Sequence, residues 1–369
     1  MPTKVSNIGI KKQNSFRRRK ASQKRNVFRT LGLAIFTIIL STLVISAISI
    51  YKFLNAPFSS ANLQGESMKK DGIWGKDDLN LIIIRVDDKH KKDSPVNVFA
   101  LANFDLVNKR YNLFEFPLEQ DFIYADETKG NLQNIAAYMK KEDKNIDFAA
   151  SSFFKQFAVK PDGYILMDNE DYKSFEELLG QGIPFNDLSA VLRVKNTFKM
   201  PSLINKFRER TETNLTLSDV FKILNFIKNT SETSSSVKEI TLYGILDTDV
   251  WDQVWNDSLS YESIKKEHIK ILILNGSVDP KIPGLAGWGA RVVKNIGSTV
   301  LDTENSFEIF SQTTLIASNK DSKTVKELAE IFNIPYVIDV KDLGQGKNYN
   351  PQIFRSEVTL IVVNYPGTE

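Results

Sequence analysis

Residues 31–51 read LGLAIFTIILSTLVISAISIY, without one charged side chain. At about 1.5 Å per residue such a stretch forms a helix roughly 30 Å long, the thickness of one bilayer core. It predicts a transmembrane helix over 31–52. Ahead of it stand Lys4, Lys11, Lys12, Arg17, Arg18, Arg19, Lys20, Lys24, Arg25 and Arg29, and no Asp or Glu occurs before Phe58. Cationic flanks stay on the cytoplasmic side, so residues 1–30 read as a basic cytoplasmic tail. The rest of the chain is then extracytoplasmic, on a single-pass, type II protein of the cell membrane. The apolar region of a cleaved signal peptide runs to about 7–15 residues, so this longer one reads as an uncleaved signal-anchor. The alternative use of RRRK as a nucleic-acid arm yields to a topology determinant touching anionic lipid. The membrane is the expected partner, and nucleic acid is not.

The 369 residues can hold about two ordinary domains, and 42% hydrophobic residues with 24 Phe supply packed cores. With no cysteine there are no disulfides, and His90 and His268 lie too far apart in sequence to point to a zinc site.

Residues 53–78, rich in small and polar side chains, read as a stalk. Beyond it, LNLIIIRVDD (79–88) has the pattern of a short buried strand. VNVFALANFD (96–105) and KRYNLFEFPL (109–118) form a hairpin pattern about LVN, and NLQNIAAYMKK is helical. DGYILMDNEDYKSFEELLGQGI (162–183) sets a strand before a helix from about Asn169 to Gly180. Helices follow near Pro201–Arg210 and Leu217–Ile227, then a loop over 229–236 and a strand over 237–246. Mixed strands and helices in this order predict an α/β sheet domain over 79–267. The last stretch, 268–364, reads as a smaller separate α/β module. Its strands are expected at 269–274, 298–302, 313–317, 335–340 and 356–363, with helices at 283–295 and 321–332.

Within that module, ILILNGSVDPKIPGLAGWGARVV (271–293) imitates a dinucleotide loop, with Gly276, Gly284, Gly287, Gly289 and a later Asp302. The order of its glycines is wrong for that fingerprint, and no Lys-Ser/Thr pair makes it a P-loop. The glycines read better as packing devices: Gly276 for a turn with positive φ, and Gly284, Ala286 and Gly287 for close approach of a helix to its sheet. ILNGS followed by PGLAGWGARVVKNIG resembles the C-terminal domain of LytR-type cell-envelope proteins.

The larger domain resembles a divergent LytR-CpsA-Psr domain. The resemblance rests on the basic tail and anchor, Asp87 at the end of the first strand, NIAAY (134–138), GYILMDNEDYKSFEELLG and the C-terminal module. It implies a mixed-sheet α/β fold and a part in transferring glycopolymers from polyprenyl pyrophosphate to peptidoglycan. It also implies Asp87 as the catalytic carboxylate, Arg85, Lys89, Arg193 and Lys195 on phosphate, and Asp87 with Asp88 on Mg²⁺, the one cofactor it calls for. Such chemistry builds negative charge on the leaving pyrophosphate and needs cations clamped on it.

The chain departs from the family at those cations. Pro95-Val96-Asn97 stands where the family has Arg-x-Asp, and Pro117-Leu118-Glu119 where it has Pro-Arg-Asp. Lys reproduces a bidentate arginine clamp poorly, and Leu not at all. DDKHKKD reads as a solvated turn. Phe99, Phe114, Phe116, Phe153, Phe154 and Phe157 read as core rather than as the lining of a polyprenyl groove. The expectation is a non-catalytic, pseudoenzyme-like binding or scaffolding protein of bacterial cell-wall glycopolymer assembly, with polyprenyl-phosphate lipid, peptidoglycan or glycopolymer as partner. The alternative is an active phosphotransferase.

Overall fold

The computed structural model describes residues 77–172, 211–216, 218–220, 222–223, 226, 248–258, 261–278, 281–344 and 349–366, with the backbone alone over 235–239. All belong to one compact unit, Pro57–Glu369. The tail 1–30, the apolar span 31–52, the stalk to residue 76, the helix expected from about Asn169 to Gly180 beyond its first turn, the helix expected at 201–210, and Arg193 and Lys195 lie outside the described residues. Among the described residues, no helix is long and apolar enough to cross a membrane.

The first sheet is built around β1 (Asp78–Val86), whose Leu/Ile run is buried along nearly its whole length. A strand covered on both faces reads as a continuous apolar run, as this one does. β2 (Val96–Asp105) pairs antiparallel with β1, and β3 (Arg110–Glu115) antiparallel with β2. The hairpin between β2 and β3 is closed by the buried Asp105. Its carboxylate accepts from Asn108 N and Nδ2, both at 2.8 Å, and from Arg110 Nε at 2.7 Å. A short hairpin follows, β4 (Asp121–Ile123) with β5 (Lys129–Asn131). Then come a 3-10 turn, α1 (Ile135–Lys141) and α2 (Ile146–Phe157). β6 (Gly163–Asp168) returns parallel to β1, β7 (Glu212–Thr213) pairs antiparallel with β6, and β8 (Ser235–Glu239) parallel with β3. The sheet order is β7-β6-β1-β2-β3-β8. β8 begins inside the segment expected as loop (229–236).

After α3 (Thr248–Ser258) and a single turn, α4 (Glu262–Lys265), the second sheet forms. Its strands are β9 (Lys270–Asn275), β10 (Thr299–Asn305), β11 (Thr314–Ala317) and β12 (Val358–Val362), in the order β10-β9-β12-β11. α5 (Leu285–Asn295) and α6 (Lys323–Ile331) complete it. The α/β reading with mixed sheets holds. The strand expected over 335–340 reduces to one bridge, Ile338 to Ile316, followed by a 3-10 turn at Val340–Asp342.

Two glycine assignments change. Gly276 does not adopt positive φ. What it needs is space, because a Cβ there would stand 2.5 Å from Ile361 Cγ2. Gly284, at φ +75°, is the left-handed residue, and it opens α5. Gly287 is exposed, with nothing near a would-be Cβ, while Gly289 makes the close approach, to Val362 and Ile273. The loop after β9 closes on its own side chains. Asn275 Nδ2 donates to Ile282 O, Asn275 Oδ1 accepts from Ser277 N and Oγ, and Ser277 Oγ accepts from Ile282 N.

One apolar core runs through both sheets. All six phenylalanines weighed for a lipid groove are buried in it. Phe153 stacks on Phe99 at 6.0 Å between centroids, and Phe116 and Phe157 pack at 4.8 Å. Trp251 and Trp255 of α3 stack together, their indole nitrogens donating to Phe157 O and Asn295 O. Arg291 of α5 grips Asp252 of α3 with two bonds, of 2.7 and 3.0 Å.

Candidate functional site at the carboxyl end of the first sheet

β1, β3 and β6 run in the same direction, so their carboxyl ends meet the amino ends of β2 and β7 along one sheet edge. Crevices at such carboxyl ends are the usual ligand sites of open α/β sheets. Asp87, Asp88 and Lys89 lie just past β1 on this edge, and Arg85 two residues before them.

Each takes a different role. Asp87 is exposed, and its Oδ1 accepts from Asn97 Nδ2 at 2.5 Å and Asn169 Nδ2 at 3.2 Å. Asp88 shapes the turn. Its Oδ1 accepts from His90 N, its own N–H donates to the buried Ser94 Oγ, and Lys91 lies 3.6 Å from Oδ2. The His90 N–H holds the Asp88 carboxyl below the ordinary carboxylate range. The turn expected from DDKHKKD is thus built by Asp88, while Asp87 faces solvent.

Lys89 faces inward. Its ammonium meets Asp171 Oδ2 at 2.8 Å, with side-chain exposures of only 7% and 1%. Asp168 caps the helical turn after β6, its Oδ1 accepting from Glu170 N and Asp171 N, and Asp171 Oδ2 accepts in return from Asp168 N. This reciprocal cap fixes Asp171 where Lys89 arrives. Burial pushes the Asp171 carboxyl up, and Lys89 only partly opposes it. Its Oδ1 is buried with no partner among the described residues.

Two more ionisable groups complete the corner. Lys140 of α1 donates to Lys89 O and, at 2.6 Å, to Lys91 O. Burial lowers its pKa, against Glu212 and Asp88. Glu212 of β7 is raised by burial, against Lys89, Lys140 and His90. Arg85 lies with its guanidinium 5.0 Å from the centre of the Tyr172 ring, and its Nε is buried without an acceptor among the described residues.

The edge therefore brings Arg85, Asp87, Asp88 and Lys89 to one corner but not to one ligand. Asp87 can accept a hydroxyl proton or hydrogen bond. Of the described cations, Lys89 and Lys140 are held by the protein's own oxygens, while Arg85 lies against the Tyr172 ring. No group of three or more His, Asp or Glu able to hold a metal occurs among the described residues. Asp88 Oδ1 is engaged by the His90 N–H, and Asp87 Oδ1 by two side-chain amides. Leu118, beyond β3, is half-buried and packs on the apolar core. Asn169, Asp171, Glu212 and Lys140 were not legible as members of this corner. Asp171 and Lys89 are 82 residues apart, and only the parallel pairing of β1 with β6 joins them.

No protein-family model matches this chain, and no curated protein is significantly similar to it. Several solved structures are similar in fold. TagT bound to LI-WTA is 15% identical with a TM-score of 0.38, over 53% of this chain and 97% of that one. The LytR-CPS2A-psr family protein YwtF (TagT) with bound octaprenyl pyrophosphate lipid is 15% identical, TM-score 0.35, over the same shares. TagV of B. subtilis is 14% identical, TM-score 0.34, over 45% of this chain and 85% of that one. At these identities and scores the likeness carries no ligand or activity from one chain to another. The solved structures similar to this chain include members of the LytR-CpsA-Psr family, the family its motifs resemble.

Proposed function

We propose that this chain is a membrane-anchored, extracytoplasmic protein of cell-wall glycopolymer assembly that binds or scaffolds rather than catalyses. The observation that carries the non-catalytic reading is the internal commitment of two cations at the Asp87 corner. Lys89 is buried against Asp171, and Lys140 is spent on the Lys89 and Lys91 carbonyls. A leaving pyrophosphate needs donors aimed at the charge it develops. Ammonium groups already satisfied by protein oxygens do not supply that without breaking bonds. Leu118, packed on the core where the resemblance implies arginine, argues the same way.

The binding half of the reading draws on the sequence resemblance, and the exposed Asp87, oriented by two amides, is placed to accept from a saccharide hydroxyl. Mass spectrometry of lipid co-purified with the detergent-extracted full chain tests it. A stoichiometric polyprenyl phosphate or pyrophosphate is expected. Extracts holding only bulk phospholipid would overturn lipid binding.

A further inference from the structure

Away from the Asp87 corner, a cleft of about 520 Å³ lies between α2, α5 and the segments 311–313, 331–335 and 364–366. Small-molecule sites usually measure roughly 300–1,000 Å³. None of the residues assigned above to the corner lines it.

Its aromatic part centres on Trp288. Around that indole stand Phe154, Tyr365 and Phe332, at centroid distances of 5.0, 5.6 and 5.8 Å and edge-on. Trp288 is 6% exposed, and its Nε1 has no acceptor among the described residues. Buried indole N–H groups ordinarily find one. The polar part of the lining is almost wholly uncharged, with serine, threonine, glutamine and asparagine side chains such as Ser151 and Gln312.

Among the described residues, two charged groups line the cleft. Lys160 gives its ammonium to Glu330 O and Ile331 O, both at 2.8 Å, and to Asn333 Oδ1 at 2.9 Å. An ammonium has three protons, and these are three acceptors. Asp147 brings a carboxylate that burial raises and Asn145 partly offsets. A phosphate would thus meet a satisfied cation and a like charge. A wholly apolar ligand would strip water from the amides and hydroxyls without replacing it.

We propose that this cleft binds an uncharged saccharide, one or two pyranose rings in size. A pyranose presents a C–H face to aromatic rings and hydroxyls to amides, hydroxyls and a carboxylate, and this lining offers both. The site is distinct from the Asp87 corner, so lipid occupancy there and saccharide occupancy here can fail separately.

The test is isothermal titration of the full chain, in a detergent without a sugar headgroup, with the neutral dimer of N-acetylglucosamine. Saturable one-to-one binding is expected, weakened at least tenfold in Ser151→Phe, which fills the cleft. Gln312→Ala, at an exposed position, serves should Ser151→Phe melt early, and is expected to weaken binding several-fold. Inorganic phosphate should not compete. No saturable heat with the native chain, binding unchanged in Ser151→Phe and Gln312→Ala, or displacement by phosphate would each overturn the proposal.

Discussion

The Lys89 ammonium lies 2.8 Å from Asp171 Oδ2, and both side chains are almost fully withdrawn from water. Removing one partner of a buried pair strands the other charge, at a cost of about 3–5 kcal/mol. Lys89→Met is therefore expected to lower unfolding stability by about that much. Lys89→Met combined with Asp171→Leu should recover most of the loss, because no buried charge remains. Chemical denaturation of the three proteins checks this. A Lys89→Met variant as stable as the native chain would show that Lys89 is available to a ligand.

Glu212 gives the same corner a pH signature. Burial holds its folded pKa above the ordinary 4.5, although Lys89, Lys140 and His90 favour the charged form and Asp171 opposes it. A raised carboxyl contributes its stability in full below 4.5 and loses it as pH rises through the folded value. At pH 7 the ionised Glu212 is a cost. Glu212→Gln should melt higher than the native chain at pH 7, and the gain should vanish below pH 4.5. A lower melting temperature at pH 7 would mean that the carboxylate is held by a stronger partner than these cations.

Gly276 and Gly287 separate packing from conformational freedom in the second sheet. Gly276→Ala drives a methyl into Ile361 and should cost about 1–3 kcal/mol. Gly287→Ala meets nothing in an exposed helical turn and should stabilise by about 0.4–1 kcal/mol. Thermal melts of the two variants read the difference, and equal effects of either sign would contradict the packing described.

β1 and β2 of the first sheet were legible because their burial is written as runs. β2 occupies the expected 96–105, and β1 departs from its expected span only at the ends. α2 was not. Its stripe of Ile146, Ala149, Phe153 and Phe157 is hidden in a stretch so rich in phenylalanine that groove and core look alike. α3 hides behind its acids, with Trp251 and Trp255 as the one pair facing the core. At the site, Asp87 is identifiable because it follows β1 directly. Asp171 and Glu212 are not, because β6 and β7 bring them in from far along the chain, and nothing local marks their burial.

The charge-free 31–51 stretch and its basic flank make a claim about topology. Protease added to intact, wall-stripped cells should digest the chain beyond Lys52 and leave the tail. Full protection of the region after Lys52 would reverse the orientation.

Transfer of a polyprenyl-pyrophosphate-linked saccharide to a peptidoglycan acceptor, with Mg²⁺ present, tests the non-catalytic reading most directly. Donors lost from such a site each cost about 10²–10³ in rate. The native chain should show no turnover above background, and neither Leu118→Arg nor Leu118→Arg with Asn97→Asp should restore it, since Lys89 and Lys140 remain committed. Turnover by the native chain that disappears in Asp87→Ala would contradict that reading and make the Asp87 corner an active centre.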